Sequence, residues 1–133
     1  MKSTNQDILA PPLVTKPPAP PALLNGIGRV EWRRLVKLFI QEEIYTQFDR
    51  AKLLILCIEY QRYIGCIKYI NKHGETWEGK NGYVQIRPEA TQANKSFVAY
   101  VKAAASFGLD PESRSKIKRN TPNKTINNDF EGL

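Results

Sequence analysis

The sequence predicts a mainly α protein: a helical hairpin or bundle with a short β-hairpin inserted before the third helix and a short C-terminal helix. Three observations predict it. Apolar residues recur at helical spacing over three long segments, the period drops to two between Glu75 and Arg87, and Gly108-Leu109-Asp110-Pro111 stops one helix and starts another. The chain has 133 residues, with 20 Lys+Arg against 13 Asp+Glu for a net charge of +7. That length holds one domain, and that charge favours an acidic partner such as nucleic acid or an anionic membrane surface.

Residues 1–24 carry most of the nine prolines, in LAPPLVTKPPAPPA. Repeated proline fixes φ and removes backbone donors, so this stretch is expected to be an extended, flexible arm, either a tether or a docking segment, and not a packed element. Residues 25–118 form the expected helical oligomerisation core, with the β-hairpin near 75–87, and residues 119–133 a flexible tail. In the first helix, from about Ile27 to Glu43, Trp32, Leu35, Val36 and Phe39 follow i, i+3, i+4, i+7 and make one apolar stripe.

The second helix is expected to start near TQFD, where Thr46 can cap backbone amides and Asp49 has the favourable sign for the helix dipole, and to run to about Lys72. Leu56, Cys57, Tyr60, Tyr63, Ile64, Ile67 and Ile70 cover one side; Leu54, Ile55, Ile58, Cys66 and Tyr69 cover much of the other. A helix apolar nearly all round is buried on two sides. Two further helices of one small domain cover one side, so Leu54, Ile55, Ile58 and Tyr69 are expected at an interface with a neighbouring subunit. Cys57 and Cys66 are nine residues apart, hence on opposite faces, and read as two buried thiols rather than a disulfide or a metal pair.

Asn81-Gly82 is the dipeptide preferred by a two-residue type I′ turn. Counting outward from it pairs Trp77 with Ile86 and Gly79 with Val84 on one apolar face, leaving Thr76, Glu78, Gln85 and Arg87 on the other. The third helix opens at Pro88 and is expected to bury Ala93, Phe97, Tyr100, Val101 and Ala104 before Gly108 caps it. Asp110-Pro111 then supplies an N-cap and a first-turn proline for the short fourth helix.

No catalytic, metal or cofactor site is expected. GETWEGKN, Gly74 to Asn81, nearly matches the phosphate-binding loop, but Asn81 stands where Ser or Thr would ligate magnesium, and no strand precedes Gly74 and no helix begins at Lys80. His73, the one histidine, has no nucleophile or carboxylate at a recognisable spacing and suits a helix C-terminus. Glu42-Glu43 and Glu75/Glu78 read as solvated faces. The start, MKSTNQDILAPP, lacks the apolar core of a signal peptide, and no apolar run approaches the 18 or so residues that span a membrane, so a soluble intracellular protein is expected.

Two sets of cations are the candidates for phosphate contact. Arg29, Arg33 and Lys37 fall at i, i+4, i+8 with Arg34 alongside, while Glu31 and Glu42 occupy another flank. That division presents cations to phosphate, pairs head to tail with the acidic flank of a neighbour, or is merely solvated. Arg114, Lys116, Lys118 and Arg119 follow the restart at Asp110.

The ordered series VEWRRLVKLF, TQFDRAKLLILCIEYQRY and KNGYVQIRPEATQANKSFVAYVKAAASFGLDPESR resembles the small terminase subunits of tailed bacteriophages, in the group whose core ends in an LGL-x-P-x-S-R-like signature after an Ala-rich helix. The likeness runs from about residue 20 to 119. Members often carry Asn-Pro before the third helix, where this chain has Arg87-Pro88. The resemblance implies a noncatalytic homo-oligomeric ring in the cytoplasm of the bacterial host. That ring recognises viral double-stranded DNA and regulates the ATPase and nuclease of the terminase large subunit. Two rivals are a helical scaffold binding only protein and a helix-turn-helix transcription regulator. The link between the first two helices lacks the short Gly-containing turn of the latter.

Overall fold

The computed structural model describes residues 12–116, with the side chain of Lys116 excepted. Helix α1 spans Gly26–Gln41. Its N-cap Asn25 accepts the Gly28 N–H at Oδ1 (3.1 Å), while its own N–H donates to Gln61 Oε1 (2.9 Å), so the cap also ties α1 to the next helix. Trp32, Leu35, Val36 and Phe39 are buried, as their spacing predicts. At the C-terminal end the Glu43 N–H bonds to the Ile40 carbonyl (3.1 Å) and the Ile44 N–H to that of Phe39 (3.0 Å). This is a Schellman closure with Glu43 at φ 58°, the left-handed position usually given to glycine.

A 3-10 turn, Gln47–Asp49, leads into α2, Arg50–His73. Thr46 Oγ1 accepts from the Phe48 N–H (3.2 Å) and Asp49 Oδ2 from the Thr46 N–H (2.9 Å), a reciprocal capping box. Along α2 only Leu53, Leu56 and Cys57 are fully buried. All three lie in its N-terminal third.

Strands β1, Thr76–Glu78, and β2, Val84–Ile86, pair antiparallel ahead of α3, as expected, but one residue out of the predicted register: Thr76 opposes Ile86, Trp77 opposes Gln85, and Glu78 opposes Val84. The turn is the reason. The Gly79 N–H bonds to the Tyr83 carbonyl (2.8 Å) and the Gly82 N–H to that of Gly79 (3.1 Å), leaving three loop residues, Lys80 to Gly82. Gly82 has φ 80°, the geometry of a turn closed by a left-handed glycine bulge. One extra loop residue swaps faces on one strand. Trp77 is thereby separated from Ile86, the predicted apolar face is divided, and every residue of both strands is exposed.

Helix α3, Pro88–Ala105, runs antiparallel to α2: Tyr60 meets Tyr100 (ring centroids 5.9 Å apart) and Tyr63 meets Phe97 (6.0 Å). Small residues Ala90, Ala93, Ser96 and Ala104 line the buried seam and allow the two backbones to approach. Beyond the helix, Gly108 (φ 71°) repeats the closure seen after α1, with Gly108 N–H to Ala105 O (3.0 Å) and Leu109 N–H to Ala104 O (3.2 Å). This closure turns Phe107 onto Phe39, where the rings stack at 4.8 Å. The short α4, Pro111–Lys116, follows, with Asp110 Oδ1 accepting from the Ser113 N–H (2.7 Å). Hydrogen bonds from Ser113 hold the Asp110 carboxyl below its ordinary range.

Residues 12–24 differ from the expected free arm. They contain no helix and end in a turn closed by the Leu24 N–H on the Pro21 carbonyl (3.1 Å), yet Leu13 forms an antiparallel bridge with Thr46, the Val14 N–H donates to the Tyr45 carbonyl (2.9 Å), the Trp32 indole Nε1–H donates to the Pro18 carbonyl (3.0 Å), and Leu24 is buried. Proline removes donors but leaves carbonyls, and Trp32 uses one of them. Cys66 departs from expectation too: it is half-buried, whereas Cys57 is enclosed, and burial pushes the Cys57 thiol up to about 12. Among the described residues no helix is long and apolar enough to cross a membrane.

Candidate oligomer and nucleic-acid surfaces

The α2–α3 pair builds two apolar surfaces, one closed and one open. Leu54 and Ile58, expected at an interface, are partly buried and pack against the subunit's own core. Ile55 and Tyr69 from the same expected set are exposed. The helix-two interface set therefore does not lie together on one free face.

On α3 the reverse correction holds. Phe97 and Val101, expected in the core, are 53% and 45% exposed, and Val98 beside them is 65% exposed. Steps of 100° per residue place these three within one outward sector. Val84, Ile86 and Tyr83 of the hairpin are exposed as well. The sequence carried a signal of this surface: Val98 falls outside the stripe of Ala93, Tyr100 and Ala104, so the apolar arc of α3 is wider than one contact fills.

The cations divide into engaged and outward-facing groups. Glu31, placed by the sequence on a flank apart from the cations, is 5% exposed and is held by its own Arg34: Nε to Oε1 at 3.0 Å and the terminal nitrogen to Oε2 at 2.7 Å. The acid is thus consumed within the subunit, and its hydrogen bonds raise the Arg34 pKa. Arg29 donates from Nε to the Leu24 carbonyl (2.9 Å). Arg114 donates to the carbonyls of Gly108 (3.0 Å) and Leu109 (3.4 Å), bracing the corner before α4. Arg33 and Lys37 are exposed on α1, one turn apart. The backbone of Lys116 ends α4, while Lys118 and Arg119 lie outside the described residues.

At the base of the hairpin, His73 Nδ1 lies 3.1 Å from the Tyr69 carbonyl and its ring stacks on that of Tyr69 (4.0 Å). Arg87 donates to the His73 carbonyl (3.2 Å) and stands over the Tyr69 ring (5.9 Å). These contacts close the end of α2, as a histidine at a helix C-terminus does. Lys80 lies in the hairpin turn, and no three His, Cys, Asp or Glu residues are grouped to hold a metal ion among the described residues.

The order of elements, with α1 crossing an α2–hairpin–α3 unit and a braced corner leading to α4, coincides with a family match. The sequence model described as phage terminase, small subunit, matches residues 28–124. The chain belongs to the phage terminase small subunit family. The match begins within α1 and passes through every later element, so the terminase small subunit assignment covers the whole described core beyond the arm. No curated protein and no solved structure matches the chain. Membership of this family carries a role in phage genome packaging.

Proposed function

We propose that this terminase small subunit is a noncatalytic, ring-forming adaptor that recognises viral double-stranded DNA in the cytoplasm of the bacterial host and regulates the ATPase and nuclease of the large subunit. The family match over 28–124 carries this reading. The exposed apolar sector of Phe97, Val98 and Val101, with Ile55 and Tyr69 on α2, supports assembly, since a second copy offers the apolar surface that one copy leaves uncovered. A heterologous, head-to-tail contact generates a ring where its rotation closes, and that is the assembly proposed.

DNA contact falls first to Arg33 and Lys37, which project from α1, and then to Lys116, Lys118 and Arg119. Arg29, Arg34 and Arg114 already serve carbonyls or Glu31 and act mainly in the fold. The test measures affinity for duplex DNA against salt. Each phosphate contact contributes a slope of about −0.9 in log affinity against log salt. Arg33→Gln with Lys37→Gln is expected to lower the slope by roughly two such contacts per engaged subunit, with the native mass unchanged. A salt-independent or absent affinity of the unsubstituted chain would instead identify a scaffold that binds only protein.

A further inference from the structure

A cavity of 470 Å³ opens between the C-terminal half of α1 and the corner joining α3 to α4. Leu38, Phe39, Ile44, Tyr100, Phe107 and Leu109 supply its apolar wall, and Arg34, Arg114 and Glu42 its charged groups. Its construction is specific. Both Schellman closures meet here: the one after α1 brings Ile44 back to Phe39, and the one after α3 brings Phe107 and Leu109 to the same place. Arg114 is oriented by two carbonyls and Arg34 by Glu31, so both guanidinium groups are positioned before any ligand arrives. The Arg34 side chain remains 59% exposed beyond its pairing with Glu31. A hollow with one apolar wall and two fixed guanidinium groups beside it suits a segment that places an aromatic ring between carboxylates.

The chain contains one such segment in Asn128-Asp129-Phe130-Glu131-Gly132. We propose that the cavity binds this Asp129-Phe130-Glu131 motif, with Phe130 against the apolar wall and its flanking carboxylates toward Arg114 and Arg34. Distance permits it. Arg114 lines the cavity two residues before α4 ends at Lys116, and the twelve residues from there to Asn128 span up to about 40 Å when extended. Charge also favours it, because the intervening KRNTPNKTIN is basic and the motif is acidic. Glu42 opposes the motif, which gives a sign to test.

The experiment uses a fluorescent peptide of residues 125–133 titrated against the full chain and against a full chain carrying Asp129→Asn, Phe130→Ala and Glu131→Gln. A tethered segment competes at an effective concentration in the millimolar range. The peptide is therefore expected to bind the substituted chain about tenfold more tightly than the unsubstituted one. Adding Leu38→Glu to the substituted chain removes binding, Val30→Glu on the exposed side of α1 leaves it, and Glu42→Gln tightens it. Circular dichroism confirms that each variant keeps its helices, and Arg114→Gln, with weaker binding expected, replaces Leu38→Glu if that chain unfolds. Equal affinity for the two full chains, no binding to either, or indifference to the cavity substitutions would overturn the proposal. The readout uses neither DNA nor the large subunit.

Discussion

The two ends of the α2–α3 hairpin are made of similar residues and have opposite fates. At the end where α1 crosses, Leu53, Leu56, Cys57, Phe39 and Phe107 are enclosed by helices of the same chain. At the end carrying the β-hairpin, Tyr69, Trp77, Tyr83, Val84 and Ile86 are equally apolar and are exposed, and the exposed sector continues along α3 through Phe97, Val98 and Val101. Two helices enclose only the seam between them, and a third is needed to close a core. The difference teaches that burial, and not apolar content, separates what folds the subunit from the apolar surface that it leaves uncovered.

Substitutions in the two regions sharpen this contrast. Trp32→Ala at the closed end removes a fully buried indole and its bond to Pro18, and is expected to cost about 3–5 kcal/mol in chemical denaturation. Phe97→Ala in the exposed sector, measured at a concentration where the chain is dispersed, is expected to cost less than about 1 kcal/mol. Equal costs would erase the distinction.

Next in size is the pair beneath the cavity. Arg34→Met leaves the buried Glu31 carboxylate without its two charge-assisted bonds, at a cost of about 1–3 kcal/mol. Glu31→Gln, which removes the buried charge together with the pairing, is expected to cost less. The ordering of the two variants in urea checks whether the acid serves the subunit or a neighbour.

Alkaline pH probes the closed end through Cys57. Burial raises the Cys57 thiol from 9.0 to about 12, so the unfolded chain loses this proton before the folded one does. Its contribution to stability is complete below pH 9 and is lost as pH rises from there toward about 12. Cys57→Val is expected to flatten that decline in a series of melts. Cys66, half-buried on the opposite face, is expected to react with a thiol reagent at pH 8 well before Cys57.

The smallest expected effect concerns the closure after α1. Glu43 occupies a left-handed position, and Glu43→Gly is expected to stabilise the chain by about 0.5 kcal/mol in denaturant titration, although glycine gains freedom in the unfolded state. A loss instead would mean that the Glu43 side chain contributes more than its backbone strain costs.

Helix periods, the capping box at Thr46 and Asp49, the restart at Asp110-Pro111 and the hairpin were legible from local chemistry, since each depends on residues within a few positions. The register was not. Asn81-Gly82 fits a two-residue turn and a three-residue turn closed by Gly82 equally well, and only the paired strands select between them. The contacts of residues 12–24 were not legible because proline advertises missing donors, whereas the bond to Trp32 uses a carbonyl that every residue has. The candidate surfaces were legible as charge and apolarity without partners. Nothing in the spacing of Glu31 and Arg34 tells a buried internal pair from an acidic flank, and Phe97 and Val101 share the period of the α3 core while lying at its outer edge.

The central claim is that the exposed apolar sector of the α2–α3 hairpin, centred on Val98, is covered by further copies of the chain. Native mass measured at micromolar concentration, for the unsubstituted chain and for Val98→Asp, tests it most directly. The account predicts an assembly of more than four chains for the first, and for the second a single chain with helix content unchanged, because Val98 contributes nothing to the subunit core. A single-chain mass for the unsubstituted protein, or an assembly indifferent to a charge at Val98, would contradict it.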